Sequence, residues 1–362
     1  VYLDRAKYIY KSDSAVPAAV DRFNGAAAIW CQPIYWDMAM NAAALAGRCG
    51  ERRRAREYRE LCRRIFEGER AHYAGFDFED NNENTGWFIY DDIMWWTISL
   101  ARAYAAFGDE EYLRLSEQSF SRVWYGSERV GDTGSYDETG GGMFWRWYPI
   151  SNPEPNRPGD GKMACINFPA AVAALTLAEC VPEGRTEPAG ERPVTHTRER
   201  YFEMGREIYE WGVENLFDAA TGRVADSRHG DGEPDWKSHV YNQGTFIGAS
   251  VLLYRATGEG RYLTNALLAA DYVMRDMSKD GILPFESGIE QGIYTAIYAQ
   301  YMAMLVYDCG QRQYLPFLRH NMAAGWANRD AVRDICGGEY ARRVERGQTV
   351  DSYSASGIPA LM

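Results

Sequence analysis

The chain has 362 residues, 46% of them hydrophobic, and a formal net charge of -12. That length can bury a large core in one or two domains. The acidic balance excludes nonspecific binding to nucleic acid or anionic membrane, both of which need a basic surface. No apolar run approaches the roughly 20 residues of a membrane span.

The composition stands out in its 25 Tyr and 11 Trp. Such side chains have apolar faces and polar tips, which suits sugars; a large core of hydrogen-bonded tyrosines would use them equally well. The seven cysteines form no C-x-x-C and no dense disulfide framework. Cys165 and Cys180 fall on an apolar helical pattern and read as buried thiols. The chain opens at Val1 with no signal segment, as a cytosolic protein or a processed one would. The missing initiator Met favours processing.

In chain order, helical periodicity predicts helices over 34–50, 51–73, 87–107, 110–125, 164–180, 197–216, 240–257, 260–277, 291–309 and 311–328. Strand signals are confined to 141–147 and 221–227. Three stretches resemble one another: "ARAYAAFGDEEYLRL", "VLLYRATGEGRYLTN" and "MLVYDCGQRQYLPFL". Each reads as a helix, a turn, then Tyr-Leu opening a second helix, with anchors at Tyr112, Tyr262 and Tyr314. Their spacing fits a unit of about 50 residues, the length of a helical hairpin. Six such units, with insertions at 126–163 and 181–196, predict an all-α (α/α)6 barrel of six helical hairpins. The helices near 87, 164, 240 and 291 are apolar or small all round, as inner barrel helices would be. The others are one-faced, as an outer ring would be. The whole of 1–362 is expected to form a single catalytic domain, with its site in the barrel mouth.

The stretch "WFIYDDIMWW" (87–96) places Asp91 and Asp92 inside an aromatic run at the start of an inner helix. A capping acid normally faces water. A carboxylate pair here can divide its labour: the helix N-terminus keeps one acid ionised at low pKa, and that charge raises the pKa of the other. Glycoside cleavage uses such a pair. Neighbouring helix residues can hold their carboxyls about 5 Å apart, which favours retention. The histidines His72, His196, His229, His239 and His320 are scattered and form no metal motif. For His239, two residues before Tyr241, a surface or core role is the plainer reading. The acidic loop 77–84 resembles a calcium loop only in charge.

These residues carry a family resemblance. "YDDIMWW" with "ARAYAAFGDEEYL", "GGGMFWRW", "GKMACINFPAAVAALTL", "VADS" and "YNQGTFIGASVLLYRATGEGRYL" together resemble glycoside hydrolase family 76, the endo-α-1,6-mannanases, over roughly residues 30–310. The resemblance implies a retaining enzyme of (α/α)6 fold that needs no metal or cofactor. It implies Asp91 as nucleophile and Asp92 as acid/base. It implies substrate-binding roles for Asn41, Asn167, Asp226, Tyr241, Asn242 and Gln243. Trp95, Trp96, Trp145 and Tyr241 are candidates for sugar stacking; at least one of the adjacent tryptophans must face the core. Met163 departs from the family pattern, which has Asn there. The implied substrate is α-mannan or a manno-oligosaccharide, met outside the cytoplasm by a secreted, cell-surface or periplasmic protein, expected to be a monomer. Transglycosylation on the same scaffold, or glycan binding without catalysis, stands as the alternative.

Overall fold

The computed structural model describes residues 1–80, 82, 87, 89–145, 156–157, 159–288 and 290–362. Among them, eleven α-helices alternate between an inner and an outer layer. The antiparallel hairpins are α1 (Gln32–Arg48) with α2 (Arg52–His72), α3 (Tyr90–Phe107) with α4 (Glu110–Tyr125), α5 (Ala164–Cys180) with α6 (Arg198–Leu216), and α7 (Val240–Thr257) with α8 (Gly260–Tyr272). Next come α9 (Tyr294–Ala303) and α10 (Leu315–Ala327), then α11 (Ser352–Leu361). The helices α1, α3, α5, α7, α9 and α11 pack on one another in that order, and α11 returns to α1 to close the ring. Tyr35 of α1 donates to Ser352 Oγ of α11 at 2.9 Å across this seam.

Burial follows the sequence pattern. Helix α5 buries residues on every side, whereas α2 buries only Cys62, Ile65, Phe66 and Glu69. Its arginines lie in water, with Arg63 and Arg64 paired to Glu60; exposed pairs of this kind add at most a few tenths of a kcal/mol each. The repeated turn has a structural cause. Gly108 and Gly258 both end inner helices at φ 74°, a left-handed cap that glycine takes without strain. The tyrosine four residues later then turns inward, Tyr112 being 6% and Tyr262 0% exposed. Close helix contact also needs small residues. A Cβ on Gly248 of α7 would sit 2.2 Å from the Tyr301 ring of α9.

The barrel thus forms as the sequence predicts, with two differences. Helix α11 was not expected. It is ten residues long and carries Ser, Gly and Pro359, so its periodicity is weak. Among the described helices α10 packs on it from the outer layer. There the N-terminal hairpin of β1 (Leu3–Asp4) and β2 (Ile9–Tyr10) leads into a segment that meets the chain end, with Asp13 bridged to Asp351 and Tyr2 donating to the Val350 carbonyl. The strands are also shorter than expected. Residues 141–145 form none, and 146–147 lie outside the described residues. Near 221–227 the chain makes two small pairings: β4 (Phe217–Asp218) joins β5 (Arg223–Val224), and β3 (Gly161–Met163) joins β6 (Ser227–His229).

Candidate active site

The inner helices all begin at one end of the barrel, so their first turns converge there. Asp91 and Asp92 are the second and third residues of α3, Cys165 the second of α5, Tyr241 the second of α7 and Tyr294 the first of α9. The Tyr241 and Tyr294 rings stack at 3.9 Å with 21° between planes. Trp30, just before α1, lies 6.4 Å from Tyr294 and 6.2 Å from Trp95, and its indole N–H donates to Glu290 Oε2 at 2.6 Å. These contacts place the two aspartates in an aromatic mouth.

The two carboxyls differ in their surroundings. Asp91 accepts from Trp145 Nε1 at 2.9 Å, and this bond, the Cys165 thiol and the amides of the helix start all favour its charged form. Burial outweighs these bonds and pushes Asp91 up to about 6. The expectation that the helix N-terminus would hold it low is therefore corrected. Asp92 is 7% exposed and is raised well above the usual carboxylate range by burial and by the charges of Asp91 and Glu290, with Arg22 opposing. Both carboxyls thus stand above the usual carboxylate range, for burial first of all.

The other expected residues divide into those at the mouth and those elsewhere. Tyr241 is at the mouth. So is Asp226, half-buried, raised by burial, with Asn242 Nδ2 donating to it at 3.4 Å. The Oδ1 of Asn242 is buried with no partner among the described residues. Trp145 engages the pair by its edge, through the indole N–H.

Asn167 is fully buried and spends its amide on the chain: Oδ1 accepts from Met143 N at 2.8 Å, and Nδ2 donates to the Met143 and Met163 carbonyls. It holds the loop that carries Trp145. Gln243 is likewise fully buried, accepting from Val224 N at 2.6 Å and donating to the Gly222 and Ala269 carbonyls. Neither side chain has a group left for substrate. Trp96 is 0% exposed, packed against Trp36, Tyr73, Phe76 and Trp87, and Trp95 is 2% exposed. An inner helix is covered on both sides by its neighbours, so neither indole offers a face to sugar. Asn41 is exposed and accepts from Arg102 at 3.4 Å. It lies about 13 Å along α1 from that helix's start, at the end of the barrel away from the pair.

Gln243 gives a direct check on this division. Gln243→Ala strands one buried amide and two carbonyls and is expected to destabilise the protein by about 3 kcal/mol. Urea denaturation measures this. A raised KM with unchanged stability would instead make Gln243 a substrate ligand.

Several mouth residues were not anticipated. His239 is 8% exposed, its Nδ1 2.5 Å from Glu286 Oε1 and its Nε2 3.8 Å from Asp226 Oδ1. Trp30, Cys165, Glu286, Glu290 and Tyr294 join it. The register of the inner-helix starts is the signal that finds Cys165 and Tyr294, because every such first turn faces the mouth. Among the described residues no group of His, Cys, Asp and Glu is arranged to hold a metal ion. The acidic loop 77–84, where described, pairs Asp77 and Glu79 with Arg129.

A closed helical barrel with two adjacent carboxylic acids in unlike surroundings in an aromatic mouth has the groups by which glycoside hydrolases work. The chain belongs to glycosyl hydrolase family 76, whose model matches residues 4–358. Solved structures share the barrel. The α-1,6-mannanase of Salegentibacter sp. HEL1_6 is 23% identical with a TM-score of 0.74, over 100% of this chain and 94% of that one. An inactive variant of that enzyme, with two adjacent aspartates changed to asparagine and α-1,6-mannotriose bound, matches with a TM-score of 0.76 at 21% identity, over 100% and 94%. Dfg5 from Chaetomium thermophilum, in complex with glucosamine, is 14% identical with a TM-score of 0.66, over 93% and 80%. No curated protein sequence matches this chain.

Proposed function

We propose that residues 1–362 form one catalytic unit, a retaining endo-α-1,6-mannanase acting on mannan outside the cytoplasm. The observation that carries this reading is the unequal pair: Asp91 held by the Trp145 N–H, and Asp92 beside it with no such donor among the described residues. Asp91, ionised at neutral pH, attacks the anomeric carbon while Asp92 gives its proton to the departing glycosidic oxygen. Asp92, now ionised, takes a proton from water, which releases mannose from Asp91 with its anomeric configuration kept. The half-buried rings of Trp30 and Tyr294 offer faces to sugar, and Asp226, braced by Asn242 Nδ2, offers hydrogen bonds to hydroxyls. The inactive Salegentibacter variant, altered at two neighbouring aspartates and bound to α-1,6-mannotriose, supports both the pair and the linkage. Among the described residues no helix is long and apolar enough to cross a membrane.

Incubation with debranched α-1,6-mannan is expected to release oligosaccharides whose first-formed reducing end is the α-anomer by proton NMR. An initial β-anomer would remove the nucleophile role from Asp91. Oligosaccharides longer than the substrate would move the reading to transglycosylation, and no product at all would leave glycan binding alone.

A further inference from the structure

One imidazole of the mouth is fixed at one nitrogen and directed at the other. His239 is the residue before α7, and its own side chain does not cap that helix. Glu286, from the loop between α8 and α9, does so instead. Its Oε2 accepts from Val240 N at 3.1 Å, and its Oε1 stands 2.5 Å from His239 Nδ1. A carboxylate has only acceptors to give, so Nδ1 is the donor in this bond. The Tyr294 ring meets the imidazole at 5.6 Å with 75° between planes. One carboxylate and one ring thus set the imidazole, and its Nε2 comes to 3.8 Å from Asp226 Oδ1. Asp226 is fixed in its turn. Its backbone N donates to the Asp235 carbonyl and its carbonyl accepts from Ala164 N, both at 2.8 Å.

The 3.8 Å gap is too long for a hydrogen bond between the two atoms. It is close to the separation of two atoms that bond one oxygen between them, each at about 2.8 Å. Neither side chain is sealed, His239 being 10% and Asp226 25% exposed. We infer that His239 Nε2 and Asp226 Oδ1 form a clamp for one hydroxyl of the sugar, with Glu286 as the positioning residue that aims the imidazole. The clamp rests on the mannanase reading for the sugar it meets. A hydroxyl both donates and accepts, so it can serve both atoms at once; a deoxy carbon in its place would leave both unpaired. A mere tie between the α8–α9 loop and α7 would need only Nδ1. The clamp needs Nε2, and substitutions separate the two nitrogens.

Asparagine puts an amide N–H near the place of Nδ1, and glutamine puts its amide near the place of Nε2. The full chain carrying Asp91→Asn, which does not consume ligand, serves as the reference and is titrated calorimetrically with α-1,6-mannotriose. Adding His239→Ala or His239→Asn is expected to raise Kd about tenfold, the loss of one hydrogen bond to substrate. His239→Gln should stay within about threefold of the reference. Glu286→Ala should raise Kd about fivefold alone and not at all in the His239→Ala background, because it acts through the imidazole. Among monodeoxy mannotrioses, the one lacking the clamped hydroxyl should bind the reference and His239→Ala equally. His239→Asn binding like the reference would overturn the clamp and leave a loop tie. So would His239→Gln binding as weakly as His239→Ala, a His239→Ala loss that persists against every monodeoxy ligand, or no binding of mannotriose at all. Reducing-end release from mannan by the chain without Asp91→Asn judges the mannanase reading separately. An inactive chain with the His239 pattern removes that reading and keeps the clamp, and an active chain without the pattern does the reverse.

Discussion

Asp91→Asn and Asp92→Asn should each lower product release from α-1,6-mannan by about a thousandfold or more, measured as reducing ends. The two losses are expected to differ in kind. Asparagine at 91 cannot form the glycosyl intermediate, so no substrate restores activity. Asparagine at 92 cannot protonate the leaving oxygen, so an aryl α-mannoside, whose phenolate leaves without help, should recover much of the rate. The Asp92 variant should also lose the basic limb of the pH profile while keeping the acid limb set by Asp91. Neither variant should be less stable at neutral pH. Burial raises both acids. A folded-state pKa above the unfolded one contributes stability at low pH, present below the unfolded pKa and lost as pH rises through the folded pKa. Asparagine never ionises and escapes that loss, so both variants should melt at or above the parent at pH 7 and lose this advantage at pH 4. A variant that melts well below the parent would make the lost activity a folding defect.

The barrel was legible because inner and outer helices differ in a way periodicity records. An inner helix such as α5 is apolar all round, and an outer one such as α2 is apolar along one stripe. Helix α11 escaped because its ten residues are mostly small and its inner place comes from closing against α9, α10 and α1, a long-range fact. The acidic pair was legible because two carboxylates in an aromatic run demand a reason. The rest of the site was harder. Resemblance carries a residue to a position but does not separate a side chain that meets sugar from one that holds a loop. Asn167 and Gln243 are of the second kind, and only the backbone groups around them show it. Adjacent tryptophans on a helix diverge by about 100°, which suggested one ring facing outward. Neighbours on both sides bury both rings, and the open ring is Trp30, from another element. Cys165 reads as core in α5 alone. Its place at the mouth comes from α5 starting level with α3, its neighbour in the ring.

The insertion at 126–163 is expected to be as necessary to the fold as to the mouth, and Asp132 is where this can be measured. Its side chain is 8% exposed and pairs with the Arg122 guanidinium of α4, itself 5% exposed. Arg122 Nε also donates to the Phe78 carbonyl at 3.1 Å, which ties in the segment before α3. Asp132 further accepts from the Tyr90 hydroxyl and from Gly134 N at 2.9 Å. One carboxylate thus joins α4, its own loop and the residue preceding Asp91. Asp132→Ala leaves the Arg122 charge buried without its partner, a defect that costs about 3–5 kcal/mol. The variant should unfold at markedly lower urea with an unchanged slope. The folded fraction should also be slower on mannan, because Tyr90 loses its anchor one residue from Asp91. The paired change Arg122→Met with Asp132→Leu removes both charges and should recover most of the stability, since well-packed apolar groups often replace a buried pair at little cost. It should not recover the rate, because leucine gives Tyr90 nothing to hold. A paired variant as unstable as Asp132→Ala would show that loop packing, not the unpaired charge, sets the penalty. Full activity in it would free the Tyr90 hydroxyl from any part in placing the pair.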